Sequence, residues 1–285
     1  MRAFMARAAI ALAAATPAQA RPLPPHSGYV AMGSSFAAGP WIGTSADTPP
    51  NRCGRSAANY AHVLARKLQL DLADVSCSGA KAEHILNPWS EVPPQIAAIT
   101  PKTRLVTITA GGNDLNYLGL VGAMACRNRK IDPQQEATID RAACAEIVPP
   151  SAEDKARLSG TLRSAIARVH AVAPRARIVM VQYFTLFNAG ENCTRTGLND
   201  ADIAVLHALA RDLAAITADA AQAAGAEILP LDTASRRHGV CATSPWVNGN
   251  DASRDRADGT FFHPNTAGMA ATADLLAKAI TKGRS

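Results

Sequence analysis

"YVAMGSSFAAG", residues 29–39, is an apolar run that stops at Gly33 and passes into Ser34, Ser35 and a string of small residues. An apolar run without polar alternation reads as a strand buried on both faces, the habit of a parallel sheet. Two hydroxyls at the tip of such a strand have two readings. They are turn residues that bond their own backbone, or one is a nucleophile at the carboxyl edge of the sheet, where parallel sheets bind ligands. The remainder of the chain decides between them.

Strand and helix patterns alternate outward from this stretch. Residues 28–32 read as the first strand and 56–70 as a helix with Ser56 as its candidate N-cap. Residues 72–77 and 104–110 read as the second and third strands, the third ending in Gly111-Gly112. A helix over 151–174 has Ser151 as its cap, acidic residues in its first turn and Pro174 beyond its end. Residues 176–184 and 226–232 read as the fourth and fifth strands, 199–225 as a long helix closed by Gly225, and 265–280 as the last helix. Residues 116–150 are the least regular and read as an insertion. The alternation predicts an α/β fold: a single-domain α/β/α sandwich around a central, mostly parallel five-stranded sheet, flavodoxin-like in type.

The first twenty residues lie outside that pattern. Arg2 and Arg7 precede a short apolar core, and Ala18-Gln19-Ala20 is a small-x-small cleavage site. This reads as a secretory signal peptide, residues 1–20, too short to span a bilayer. Residues 21–285 would form the catalytic or binding domain, long enough for one full core. No later stretch reads as a membrane span, so the protein is expected to be exported, extracellular or periplasmic, and to act as a monomer. The formal charge of +6, less the two leader arginines, leaves +4 spread along the chain. The clusters at Arg127, Arg129 and Lys130 and at 235–239 have no interleaved aromatics, which argues against nucleic-acid binding. Transient attraction to an anionic lipid surface stays open. Six cysteines, an even number in an exported chain, point to disulfides. They allow fifteen pairings. Sequential pairing is favoured because each bridge then clips a local loop, contributing about 3–4 kcal/mol. No C-x-x-C pair points to a zinc or redox site, and no metal or cofactor is expected.

The chemistry sits in the segments just past the strands. Gly33-Ser34-Ser35 comes after the first, Cys77-Ser78-Gly79-Ala80 after the second and Gly111-Gly112-Asn113-Asp114 after the third. "DGTFFHPN", residues 258–265, places His263 just before the last helix, where Asn265 can act as cap. Each alone reads as a turn or a cap. Together and in this order they resemble the SGNH (GDSL-type) hydrolases: Gly33 to Gly39 against G-D-S-x-x-x-G, Gly79, then Gly111 to Asp114 against G-x-N-D, then His263. The exported six-cysteine form is similar to the secreted bacterial esterase and lipase branch, whose three disulfides pair sequentially: here Cys53–Cys77, Cys126–Cys144 and Cys193–Cys241.

The resemblance implies a role for each position. Ser35 would be the nucleophile and His263 its general base, with Ser34 as the alternative nucleophile. The oxyanion would sit on the N–H of Ser35, the N–H of Gly79 and the amide of Asn113. Two positions depart from the family. Ser34 stands where G-D-S has Asp, and Thr260 stands where D-x-x-H has its acid. The backbone carbonyl of Thr260 is therefore the expected partner of His263 Nδ1, with Asp258 as the alternative. Asp114 is expected to hold its own turn through local N–H groups, and the other six histidines, including His62, His84, His170, His207 and His238, read as structural or solvated. The implied activity is hydrolysis of a small-molecule or lipid carboxylic ester through an acyl-Ser35 intermediate. Carbohydrate acetylesterase activity on the same site, or a catalytically silent binding protein on the same fold, are the alternatives.

Overall fold

In the computed structural model, residues 23–128, 144, 146, 148–251 and 257–281 are described. The leader and its cleavage site lie outside them, as do Arg129 and Lys130. Five strands form one sheet: β1 (Gly28–Gly33), β2 (Asp71–Asp74), β3 (Thr103–Thr109), β4 (Arg177–Val181) and β5 (Glu227–Leu229). Their order is β2-β1-β3-β4-β5 and every neighbouring pair is parallel. This is the doubly wound order of flavodoxin-like sheets, whose ligand crevice lies at the carboxyl ends of the strands flanking the reversal.

β1 and β3 sit in the middle and are buried along almost their whole length, which is why their sequences do not alternate. Met32, Leu105, Val106 and Ile108 are fully buried, each contributing about 1.5–3 kcal/mol of apolar burial. Buried hydroxyls are paired across the sheet and its helix, Tyr29 with Thr107 at 2.8 Å and Tyr60 with Thr109 at 2.9 Å. A four-residue helix, α1 (Ser35–Ala38), leaves the end of β1. The long helices form two groups. α2 (Tyr60–Leu68) packs against α8 (Thr266–Thr281), and α5 (Ala152–Val172) packs along α6 (Asp200–Ala223), with α3 (Glu83–Leu86) against α5 and α4 (Tyr117–Arg127) against α6.

Several boundaries differ from those expected. α2 begins at Tyr60 because Asn59, not Ser56, accepts the His62 N–H; the Ser56 hydroxyl donates to the Ile42 carbonyl and accepts the Ala58 N–H, closing a turn ahead of the helix. The stretch read as an insertion opens with α4, whose Leu120, Val121 and Met124 are buried. Two glycines within it and an Asn116 start with no side-chain cap bond hid this helix from a local reading. α5 carries a full capping box between Ser151 and Asp154. β5 is only three residues, ended by Pro230, which lacks the N–H a ladder needs, and the short helix α7 (Leu231–Ala234) takes over directly. The disulfides are Cys53–Cys77, Cys126–Cys144 and Cys193–Cys241.

Candidate active site

The pairing of β1 with β3 sets the register of the site. Gly33 lies opposite Thr109, so the turn 34–38 and the loop 110–114 leave the sheet side by side. The Ser34 N–H donates to the Thr109 carbonyl at 2.9 Å, and the Cys77 N–H donates to the Gly33 carbonyl at 3.0 Å, drawing in the loop after β2. A buried carboxamide finishes the strand end: Gln95 Oε1 accepts the Gly33 N–H at 2.7 Å while its Nε2 donates to the Gly33 carbonyl at 3.0 Å.

Ser35 opens α1, and its Oγ lies 2.8 Å from His263 Nε2. The other ring nitrogen, Nδ1, lies 2.7 Å from the Phe261 carbonyl. A carbonyl only accepts, so Nδ1 carries the proton and Nε2 is left to accept the Ser35 hydroxyl. Burial pushes the His263 pKa below the ordinary histidine value, against the Phe261 bond that would raise it, so the ring is held neutral.

The partner of Nδ1 corrects the expectation. Thr260 does not serve: its carbonyl accepts the main-chain N–H of His263 at 3.2 Å and closes a four-residue turn. Phe262, inside that turn, has φ +55°, a left-handed backbone that turns over the preceding peptide as in type II turns. The Phe261 carbonyl, one residue closer than Thr260, is thereby aimed at the ring. Asp258 is committed elsewhere. Its carboxylate accepts the N–H and hydroxyl of Thr266 at 2.8 and 2.5 Å, at the start of α8.

Asn113 Nδ2 donates to the Ala80 carbonyl at 2.9 Å, leaving its second N–H for another acceptor. Asp114 accepts the Ala82 N–H at 2.9 Å, so it ties the β3 loop to the β2 loop in addition to any bond within its own turn. Gly79 lies between these ties, with φ +86°, and a Cβ there would come within 3.0 Å of the Trp89 ring. Glycine is required on both counts. Trp89 is itself stacked between the Arg52 guanidinium at 3.8 Å and the His84 ring at 4.5 Å. Among the described residues, the main-chain N–H groups of Ser35 and Gly79 have no acceptor. Ser35 is buried, where an amide is nearly always satisfied, while Gly79 is exposed at the same edge of the sheet.

Ser34 is turned away from this point, its hydroxyl 2.7 Å from that of Tyr183. Tyr183, Gln95 and Trp89 are the site residues that a reading of motifs passed over. Tyr183 had a signal, since it lies just beyond β4 at the same edge of the sheet. Gln95 and Trp89 had none. A groove of about 450 Å³ lined by Trp41, Arg52, Arg55 and Ser78 runs beside the Gly79 loop. A larger cavity of about 680 Å³, bounded by Asn128, Asn192 and Asn250, is lined by none of the site residues above.

Comparison with known proteins adds to this geometry. The GDSL-like lipase/acylhydrolase family matches the chain over residues 31–271. Lipase 2 of Streptomyces coelicolor is 32% identical over 245 residues, 83% of this chain and 80% of that protein. Among solved structures, an extracellular lipase from Streptomyces rimosus superposes with a TM-score of 0.69 at 25% identity, covering 89% of this chain and 99% of the other. A phospholipase A1 from Streptomyces albidoflavus has the same fold, with TM-score 0.69, 23% identity and coverage of 89% and 98%.

Proposed function

The chain belongs to the GDSL-like lipase/acylhydrolase family, and on that premise we propose that it is a secreted serine esterase or lipase acting on carboxylic esters of acyl chains. The observation that carries this reading is the 2.8 Å approach of Ser35 Oγ to a His263 whose Nδ1 is committed to a carbonyl. His263 Nε2 takes the hydroxyl proton as Ser35 Oγ attacks the ester carbon. The charge developing on the carbonyl oxygen falls to the N–H groups of Ser35 and Gly79 and the Asn113 amide, donors that need no reorganisation. His263 then delivers its proton to the departing alcohol, leaving an acyl-Ser35 ester. Water, deprotonated by the same nitrogen, releases the acid. The lipase-named relatives and the phospholipase A1 of like fold support acyl lipid esters as the substrate class. The three disulfides support export, with residues 1–20 as the leader.

The test is hydrolysis of p-nitrophenyl esters from acetate to palmitate by the chain from Arg21 onward beside its Ser35→Ala variant. Ser35-dependent turnover and labelling of wild type by a serine-directed phosphonate are expected, and the chain-length profile separates esterase from lipase. Equal rates in both proteins would remove Ser35 from the chemistry. Tight ester binding without turnover would leave the silent binding protein.

A further inference from the structure

Ser34 is the position at which this chain departs from G-D-S, and the structure gives it a partner 149 residues away. Resting on the esterase reading above, we infer that Tyr183 is a positioning residue of the acyl transfer: its phenol ties the Ser35 turn to the Asn113 loop.

Three contacts converge on this side chain. Its hydroxyl meets Ser34 Oγ at 2.7 Å in a buried setting. Its ring and hydroxyl pack against Gly112, next to Asn113. Its ring packs on Phe36 with centroids 4.4 Å apart, and Phe36 in turn packs on the His263 ring at 5.1 Å. The residues on either side of Ser35, the residue before Asn113 and the face of His263 are therefore all within one or two contacts of Tyr183. The fit leaves no slack: a Cβ at Gly112 would come within 2.5 Å of the Tyr183 ring.

The chemistry of Ser34 explains why a phenol is needed. A carboxylate at this position could accept several backbone N–H groups by itself. A hydroxyl is shorter and uncharged, and a buried one without a partner is costly. Tyr183 reaches it from beyond β4, across the sheet edge. The Ser34–Tyr183 bond, with the Tyr183 ring packed on Gly112, then links the Ser35 turn to the loop that carries Asn113. Burial pushes the Tyr183 pKa up to about 12, so the phenol stays neutral and takes no part as acid or base in the working range.

A purely structural phenol is present for comparison. Tyr29 is buried and bonded to Thr107 at 2.8 Å inside the sheet, away from the site loops. The experiment compares Tyr183→Phe, Ser34→Ala, their double variant, Tyr29→Phe and Ser35→Ala in the folded, disulfide-bonded protein. The readouts are kcat and KM on p-nitrophenyl butyrate, the rate of phosphonate inactivation, and Tm. Tyr183→Phe is expected to lower kcat and the inactivation rate together by about 10- to 100-fold with KM unchanged, the cost of a displaced reacting group. Ser34→Ala should do the same, and the double variant no more, because both remove one bond. Tyr29→Phe should lower Tm and leave kcat as it is. If Tyr183→Phe fails to fold, Ser34→Ala and its inactivation rate test the same bond from the other side. A Tyr183→Phe or Ser34→Ala enzyme with kcat within about twofold of wild type, or losses that multiply in the double variant, would overturn the assignment. Retention of full activity by Ser35→Ala would instead sink the esterase reading, and this inference with it.

Discussion

Ser35 and His263 meet at 2.8 Å, yet the chain around each is held in a different manner. Ser35 stands at the end of a central strand, with a neighbour on each side of the sheet and a buried glutamine closing both backbone groups of Gly33. His263 is carried by a turn outside the sheet. Its support is two isolated bridges, Val247 with Pro264 and Ile42 with Asp258, the Asn248 N–H on the His263 carbonyl at 2.9 Å, and Asn248 and Asn265 side chains on neighbouring carbonyls. Within that turn Phe262 keeps a left-handed backbone that a non-glycine residue rarely adopts, its buried ring packed against Phe187. Ser35, the proposed nucleophile, thus inherits the rigidity of the sheet, while His263, the proposed base, depends on loop bonds and one unusual residue. Loop segments open locally at lower free energy than central strands, so the His263 side is where the geometry is most easily lost.

The most severe way to break the comparison is to remove either member. Ser35→Ala and His263→Ala should each lower kcat by about 10⁴-fold or more, and the double variant should be no worse, because the two act as a unit. Losses that multiply in single-turnover assays would mean that the two sides act independently. Next comes the oxyanion side, which shares the support of the sheet edge. Asn113→Ala is expected to reduce kcat by about 10²–10³-fold with little change in KM. A rise in KM alone would recast Asn113 as a substrate-binding group.

The pH profile sharpens the account of the base. His263 must be neutral to accept the proton, and its pKa is lowered by burial, so activity is retained above that pKa and lost as pH falls through it. The acid limb of kcat/KM should have its midpoint below 6.5, falling about tenfold per pH unit beneath it. A midpoint above 6.5 would mean that a carboxylate supports the ring. The smallest effect separates the two candidate partners of Nδ1. Asp258→Asn should leave kcat within about threefold and cost about 1 kcal/mol of stability through weaker capping at Thr266. A loss near 10⁴-fold in kcat, about the scale seen when a triad acid is neutralised, would restore Asp258 as the orienting group.

Much of this architecture is legible along the chain. Buried parallel strands are continuous apolar runs, and Ser151 with Asp154, or Asn265 before α8, announce helix starts through local bonds. α4 was not legible, since its burial comes from neighbours and not from its glycine-containing sequence. The same division runs through the site. Gly33-Ser34-Ser35, Gly79, Gly111 to Asp114 and His263 are recognisable only together, through the order in which they resemble the blocks of a known family. The partners of those blocks are not recognisable. Asp114 reaches Ala82, 32 residues away, and Gln95 reaches Gly33, 62 residues away.

The amino-acid sequence by itself therefore determined the α/β order and the edge at which the polar blocks gather, which depend on periodicity and on residue types within a few positions of one another; the choice of Ser35 and His263 came from the resemblance of those blocks to a family. The tertiary structure alone decided that Phe261, and not Thr260 or Asp258, holds His263, and that Ser34 bonds Tyr183. A carbonyl's direction depends on the φ of the next residue, and a hydroxyl's partner depends on which loop another strand delivers beside it. Neither is encoded in the local pattern, because both are settled only when the strands have paired and their loops compete for the same few donors and acceptors.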